Sequence, residues 1–232
     1  EQIVKLISTN SRDPLERVLD LKVQIATNEI GRRKLVALAD QFGIGTVEKA
    51  VDDLIAYSES RLRKRIKDLP EGVYTGEAFI DGDGVGHEPC RIQVAIKVEE
   101  DGITFDFTGT DVQARGAVNI PKTALDATCY YTIKALLDPT LPPNEGMALP
   151  VTIVAEEGTL VRPKFPAAVG IRSTSCQRVV RAIFQAFADV LPKEKVFASS
   201  ADMNATMIFF GPHKMREGNF VYLETVGGGA GA

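Results

Sequence analysis

The spacing of apolar positions changes once along the chain. From about Pro14 to Lys67 it is helical. Asp13 is placed to cap, and Pro14 to open, the stretch "DPLERVLDLKVQIATNEIGRRKLVALADQFG", which Gly43 and Gly45 are expected to end. In the next segment Val47, Val51, Leu54, Ile55, Ser58, Leu62 and Ile66 recur at i, i+3, i+4 and i+7 steps, on one face of a second helix. Two helices joined by a short glycine turn predict a helical hairpin over residues 1–70. The run Arg61, Arg63, Lys64, Arg65, Lys67 falls on the polar side and reads as a solvated basic face.

After Pro70 and Gly72 the period is two, opening a sheet-and-helix region over 71–232. Cys90, Ile92, Val94, Ile96 and Val98 alternate with polar positions, as do Ile103, Phe105 and Phe107, and Glu100, Asp101 and Gly102 form the turn between them. "VYTGEAFID" supplies a third strand, so an antiparallel sheet with one wet face is expected, with Asp106 opposite the phenylalanines. A helix over "KTALDATCYYTIKALLD" ends before Pro139 and is followed by a proline-rich connection and a short strand in "VTIVAEEGTLVRPKFPAAVG". Thr174 and Gln177 fit a capping box opening another helix, with Val180, Ile183, Phe184, Phe187 and Leu191 as its apolar stripe. Ala205–Phe210 and Phe220–Thr225 read as closing strands. The fold class is α+β.

Composition narrows the function classes. At 232 residues, 44% hydrophobic and 25% charged, the chain can bury one substantial core. A formal net charge of −4 gives no general attraction for nucleic acid or an anionic membrane, and neither is expected as a partner. No apolar run reaches the roughly 18–20 residues of a membrane span and no signal peptide opens the sequence, so the chain reads as cytoplasmic. Cys90, Cys129 and Cys176 lack a short metal-ligand spacing and read as reduced thiols. Glu1 stands where an initiator Met would, and the chain starts without a cap or turn, as a piece entered partway would.

Several motifs resolve into ordinary structure. "IDGDGVGH" has Asp81 and Asp83 at alternating positions, but Val85 and Ile92 stand where a calcium loop needs oxygen ligands, so it reads as a turn. His87 and His213 are solitary, and the sequon at Asn204 would not meet glycosylation machinery in the cytoplasm. Cys176 lies near a helix start with Arg172 and Arg178 close by, a setting that could activate a thiol, but no histidine partner is near in sequence. "GGGAGA" lacks the Lys and hydroxyl of a phosphate loop, although its glycines permit close backbone approach. The polar stretch "FTGTDVQARGAVNIP" is a candidate binding loop, and in "AVGIRSTSCQ" Arg172 and the following helix N-terminus would suit an anion.

The ordered set "DFTGTDVQARGAVN", "LLDPTLPPNEGMALPV", "EEGTLVRPKFPAAV", "TSCQRVVRAIFQAFADVLP" and "YLETVGGGAGA" closely resembles the hydantoinase B/oxoprolinase family, which includes 5-oxoprolinase and the large subunits of acetone and acetophenone carboxylases. "LDLKVQIATNEIGRRKLVALADQFG" and "SESRLRKRIKDLPEGVY" resemble its middle region. The resemblance implies a central piece of a protein more than twice this length, in which the glycine run is internal. It implies an oligomeric assembly with an A-type subunit or domain that binds and hydrolyses ATP, a small cyclic-amide substrate, and ring hydrolysis or carboxylation of the activated compound by the B part. Any divalent metal is expected to be held by ligands ahead of this chain. From residue chemistry alone, Asn119 and Arg172 are candidates for binding a substrate carbonyl or carboxylate, Asp106 and Thr110 for orienting the loop, and the glycines from Gly227 for close approach. The leading expectation is the B component of an ATP-dependent cyclic-amide hydrolase. The alternatives are an acetone-carboxylase-like ligase and a non-catalytic module that docks the ATPase through its basic helical face.

Overall fold

The fold was analysed from a computed structural model, which describes residues 2–11, 14–192, 205–215 and 217–226. Asp13, Asn204 and the glycines from Gly227 lie outside the described residues. The chain divides into two compact units, Glu1–Asp53 with Ile208–Leu223, and Leu54–Met207 with Glu224–Ala232.

In the first unit, α1 (Gln2–Thr9) packs on α2 (Pro14–Phe42). A two-stranded ladder joins β5 (Ala205–Pro212) to β6 (Asn219–Val226). Gly43 alone separates α2 from α3 (Ile44–Lys67). It adopts φ 81°, a left-handed conformation that glycine enters without a Cβ penalty, and its N–H closes α2 on the Ala39 carbonyl. Gly45, expected to help end the first helix, lies in the first turn of the second.

The second unit is built on a four-stranded sheet in the order β1 (Gly72–Ile80), β2 (Cys90–Glu99), β3 (Gly102–Asp106), β4 (Val151–Val154). The first three strands form the antiparallel meander that the alternation predicts, with Tyr74 opposite Ile96 and Ile96 opposite Phe105. β4 departs from that pattern by running parallel to β3, with Ile103 opposite Val151. A parallel partner needs a long crossover, and residues 107–150, with α4 (Lys122–Leu137), provide it.

One face of this sheet carries the core. Ile92, Val94, Ile96 and Val98 of β2 and Ile103 and Phe105 of β3 are buried, while Lys97 and Glu99 are exposed. Each fully buried Ile or Phe contributes about 1.5–3 kcal/mol. α4 offers Leu125, Cys129, Ile133 and Leu136, and α5 (Arg172–Phe187) offers Val179, Ile183 and Phe187. α5 crosses β1 so closely that a Cβ on Gly76 would lie 2.0 Å from the Ala182 carbonyl oxygen. Only glycine admits that approach.

The one-face pattern of α3 is realised in its C-terminal half, where Ser58, Leu62 and Ile66 are buried; Val51 and Leu54 remain exposed. The basic run beside it is not simply solvated. Arg61 donates to both oxygens of the buried Asp138, at 2.5 and 2.8 Å, and Arg65 lies 3.5 Å from the same carboxylate. Arg63 pairs with Glu59 and donates to the Asp101 carbonyl, and Lys67 faces Glu100 at 3.6 Å. Burial works to raise the Asp138 pKa, but the bonds from Arg61 and Thr140 outweigh it and hold the carboxyl below its usual range. These charges fasten α3 to the end of α4 and the β2–β3 turn.

Candidate functional site

The strand directions bring the ends of β1, β3 and β4 and the start of β2 to one end of the sheet. Three connections gather there: 81–89, 107–121 and 155–171, the last leading into α5. Loops held by a rigid sheet are where binding groups can be placed reproducibly.

Asp83 ties the first loop to the second. Its Oδ1 accepts from the Val85 and Gly86 N–H groups at 2.8 and 2.6 Å, and its Oδ2 from the Gly116 N–H at 2.8 Å. Those bonds, Gly86 first, then Gly116 and Val85, hold the carboxyl down to about 2. Gly116 is required at this crossing, since a Cβ there would lie 1.7 Å from the Asp83 carbonyl oxygen. The "IDGDGVGH" segment is thus a carboxylate-centred turn, as expected.

The four candidate residues all lie in or beside these loops, yet their side chains differ in what they can do. Asp106 ends β3, and its Oδ1 accepts from the Thr108 N–H at 2.9 Å, which shapes the turn leaving the strand. Thr110 is only 6% exposed, and its hydroxyl exchanges two 3.1 Å bonds with the Gln93 backbone. It thereby occupies the ladder positions that β2 offers beyond the last residue of β3. Both geometries fit orienting the loop.

Asn119 corrects an expectation. It is 0% exposed, and its amide is enclosed by backbone. Oδ1 accepts from the Ala114 N–H at 2.8 Å, and Nδ2 donates to the carbonyls of Ala114, Gly116 and Ala168 at 2.9, 3.1 and 3.0 Å. No surface remains for a substrate carbonyl. The residue staples the second loop to the third.

Arg172 is different. It is exposed at the first turn of α5, held through its backbone N–H to the Val169 carbonyl, while Nη1 reaches the same carbonyl at 3.3 Å. The neighbouring Ile171 N–H donates to the Ala117 carbonyl at 2.8 Å, and the Ser175 hydroxyl to the Val118 carbonyl at 2.6 Å. The guanidinium therefore sits on a segment pinned to the candidate loop, with no acidic residue in the first turn of its helix. The expected capping box is absent. α5 begins two residues before Thr174, and its cap, Ile171, offers no side-chain bond; the Gln177 Oε1 is buried without a hydrogen-bond partner among the described residues.

Burial raises the Cys176 thiol pKa, outweighing the lowering influence of Thr128 and Arg172. Cys90 is raised by burial and then by Asp83 and Asp111. Neither has the depressed pKa of an activated nucleophile. Among the described residues, no group of three or more His, Cys, Asp and Glu side chains converges as a metal site, and no helix is long and apolar enough to cross a membrane.

Two hollows adjoin the loops. One, of about 540 Å3, is bordered by Glu88, Thr110, Gln113 and Arg115. The other, of about 640 Å3, lies between β1 and α5, with Glu77, Asp81, Arg178 and Arg181 on its walls. Gln185 reaches across to accept the Glu77 N–H at 3.0 Å. The i, i+3, i+7 spacing of Arg178, Arg181 and Gln185 marks one helix face in the sequence, but not that an edge strand would lie opposite it.

The family model described as hydantoinase B/oxoprolinase matches residues 1–232. A protein from Pseudomonas sp. strain NS671, named as the B-type component of a D-/L-hydantoinase, is 34% identical over 237 residues, covering 97% of this chain and 39% of that protein. The chain thus spans about two fifths of that relative's length. Among solved structures, the ATP-dependent caprolactamase of Pseudomonas jessenii superposes with a TM-score of 0.81 at 22% identity, over 93% of this chain and 38% of its own. Nucleotide-free acetone carboxylase gives 0.77 at 15% identity, over 92% and 31%.

Proposed function

The chain belongs to the hydantoinase B/oxoprolinase family, and on that premise we propose that it is part of the B component of an ATP-dependent hydrolase that opens a cyclic amide. The observation that carries the reading is the family match over the whole chain. The fold alone does not choose the reaction, because a caprolactamase and an acetone carboxylase both share it. The 34%-identical relative, named as a hydantoinase component, favours ring hydrolysis.

In this reading an A-type ATPase subunit or domain uses ATP to activate the lactam or hydantoin, and the loop end of the sheet receives the activated ring. Arg172 is the residue of this chain best placed to act. Its guanidinium can hold a carboxylate or the activated amide oxygen by paired, charge-assisted hydrogen bonds. Asp106, Thr110, Asp83 and Asn119 act on the backbone around it, fixing the loops so that little reorganisation is needed on binding. Among the described residues, none is assigned to holding a metal. The docking-module alternative draws less support from the basic run, since Arg61 and Arg63 already engage Asp138, Glu59 and the Asp101 carbonyl, although Lys64, Arg65 and Lys67 stay exposed.

The test is turnover of hydantoin, 5-oxoproline, and acetone with bicarbonate by the full-length protein together with its A-type partner and ATP. Ring opening without bicarbonate supports the hydrolase, whereas strict bicarbonate dependence moves the assignment to the carboxylases. Arg172→Ala is expected to raise KM about 10–100-fold, the loss of one charge-assisted contact, with the complex intact. An unchanged KM and kcat would remove Arg172 from the site.

A further inference from the structure

Arg172 carries a long side chain at the start of a helix, so where its guanidinium lies depends on how firmly the first turn of α5 is held. The helix holds itself weakly there. Its cap, Ile171, offers no side-chain bond, and the first backbone contacts are long: the Arg172 N–H reaches the Val169 carbonyl at 3.3 Å and the Thr174 N–H the Ile171 carbonyl at 3.1 Å. Helix ends left to such contacts fray. The bonds to the second loop are shorter. The Ile171 N–H donates to the Ala117 carbonyl at 2.8 Å, just before Arg172, and the Ser175 hydroxyl donates to the Val118 carbonyl at 2.6 Å, just after it. Of these two, only the second is made by a side chain.

Ser175 also departs from the usual habit of a hydroxyl within a helix, which is to bond back to the carbonyl one turn earlier. In α4, Thr128 and Thr132 do that, on the carbonyls of Ala124 and Thr128, each at 2.7 Å. Ser175 is 0% exposed and bonds instead to a loop 57 residues away along the chain.

We propose that Ser175 is a positioning residue for Arg172: its hydroxyl locks the first turn of α5 onto the second loop and so sets where the guanidinium is presented to substrate. The inference rests on the reading of Arg172 as the group that holds the substrate's carboxylate or amide oxygen. Without the hydroxyl, the Ile171 bond to Ala117 and the Asn119 bond to the Ala168 carbonyl still tether the segment, but both lie ahead of Arg172, and the turn that follows can swing about them. A misplacement of about 1 Å can cost a reacting or binding group up to about 100-fold, and a turn still tethered on one side should lose less than that.

The test is steady-state kinetics of the full-length protein with its A-type partner and ATP, on whichever of hydantoin, 5-oxoproline, or acetone with bicarbonate it turns over, with urea unfolding of each variant alongside. Ser175→Ala is expected to raise KM roughly threefold to tenfold with kcat little changed. Ser175→Cys, a weaker donor of similar size, should raise it by less, and it carries the same comparison if the Ala variant does not fold. In an Arg172→Ala background the Ser175 substitution should add nothing to KM, because the group it positions is gone. A serine that only satisfies the Val118 carbonyl would lower the urea midpoint and leave KM alone; that result overturns the proposal while Arg172 keeps its role. A rise in KM by the same factor with and without Arg172 also overturns it, since the serine would then act on another part of the site. If Arg172→Ala itself leaves KM and kcat unchanged, the reading of Arg172 fails and this inference falls with it.

Discussion

Replacing Asn119 with Ala separates a structural staple from a substrate contact. The substitution removes four hydrogen bonds from a side chain that is 0% exposed and leaves the Ala114 N–H and three carbonyls without it. An orphaned buried group costs about 1–3 kcal/mol, but most of these backbone groups are only partly buried and can recover water, so the sum is about 3 kcal/mol. At a urea dependence of about 3 kcal/mol per molar, the unfolding midpoint falls by about 1 M. Asn119→Asp provides a signed control. A carboxylate keeps the acceptor for Ala114 but faces three carbonyl oxygens, so its pKa in the folded state rises above the unfolded value. That variant should be least stable at neutral pH and regain stability as pH falls through the raised folded pKa. Urea titrations of both variants at pH 5 and pH 8 decide the matter. If the Ala variant stays within about 0.5 kcal/mol of the parent and instead raises KM, the staple is wrong and the side chain returns to the substrate site.

Two further outcomes follow from charged groups. Asp83 is held down to about 2 in the folded state, against about 3.9 unfolded, so its contribution is complete above about pH 5 and is lost as pH falls through the folded value; Asp83→Asn should flatten that part of the stability profile in acid unfolding curves. Asp138→Ala should cost about 2 kcal/mol in denaturant unfolding, less than for a fully sequestered pair because the Arg61 side chain is 27% exposed, and adding Arg61→Ala should restore part of the loss.

The parts of the fold written as periodicity were legible. Alternation at Ile92, Val94, Ile96 and Val98 placed β2 and its wet face, and the helix over Lys122–Leu137 was legible as a helix ending before Pro139. What stayed hidden depends on which segments meet. β4 runs parallel to β3, although nothing in four residues records the direction of a neighbour. Gly76 and Gly116 look like ordinary glycines until Ala182 and Asp83 approach them. Asn119 misled for a related reason. A polar residue in a polar loop has the same composition signal whether its amide turns outward to a ligand or inward to orphaned backbone, and only the fold shows which. The basic run on α3 similarly could not reveal that Asp138, far along the chain, would lie against it.

The parallel pairing of β3 with β4 also implies an order of assembly. β1, β2 and β3 are joined by short connections and can zip together early, but Ile103 meets Val151 only after the long crossover has closed, and loop-closure entropy must be overcome before that contact forms. The connection beyond β4 carries the segment that delivers Arg172. The β1–β3 meander is therefore expected to form before β4 pairs with it, and the loop end of the sheet to be completed last. Substitutions within 107–150 are accordingly expected to slow maturation of the protein even when they leave the finished loops unaltered.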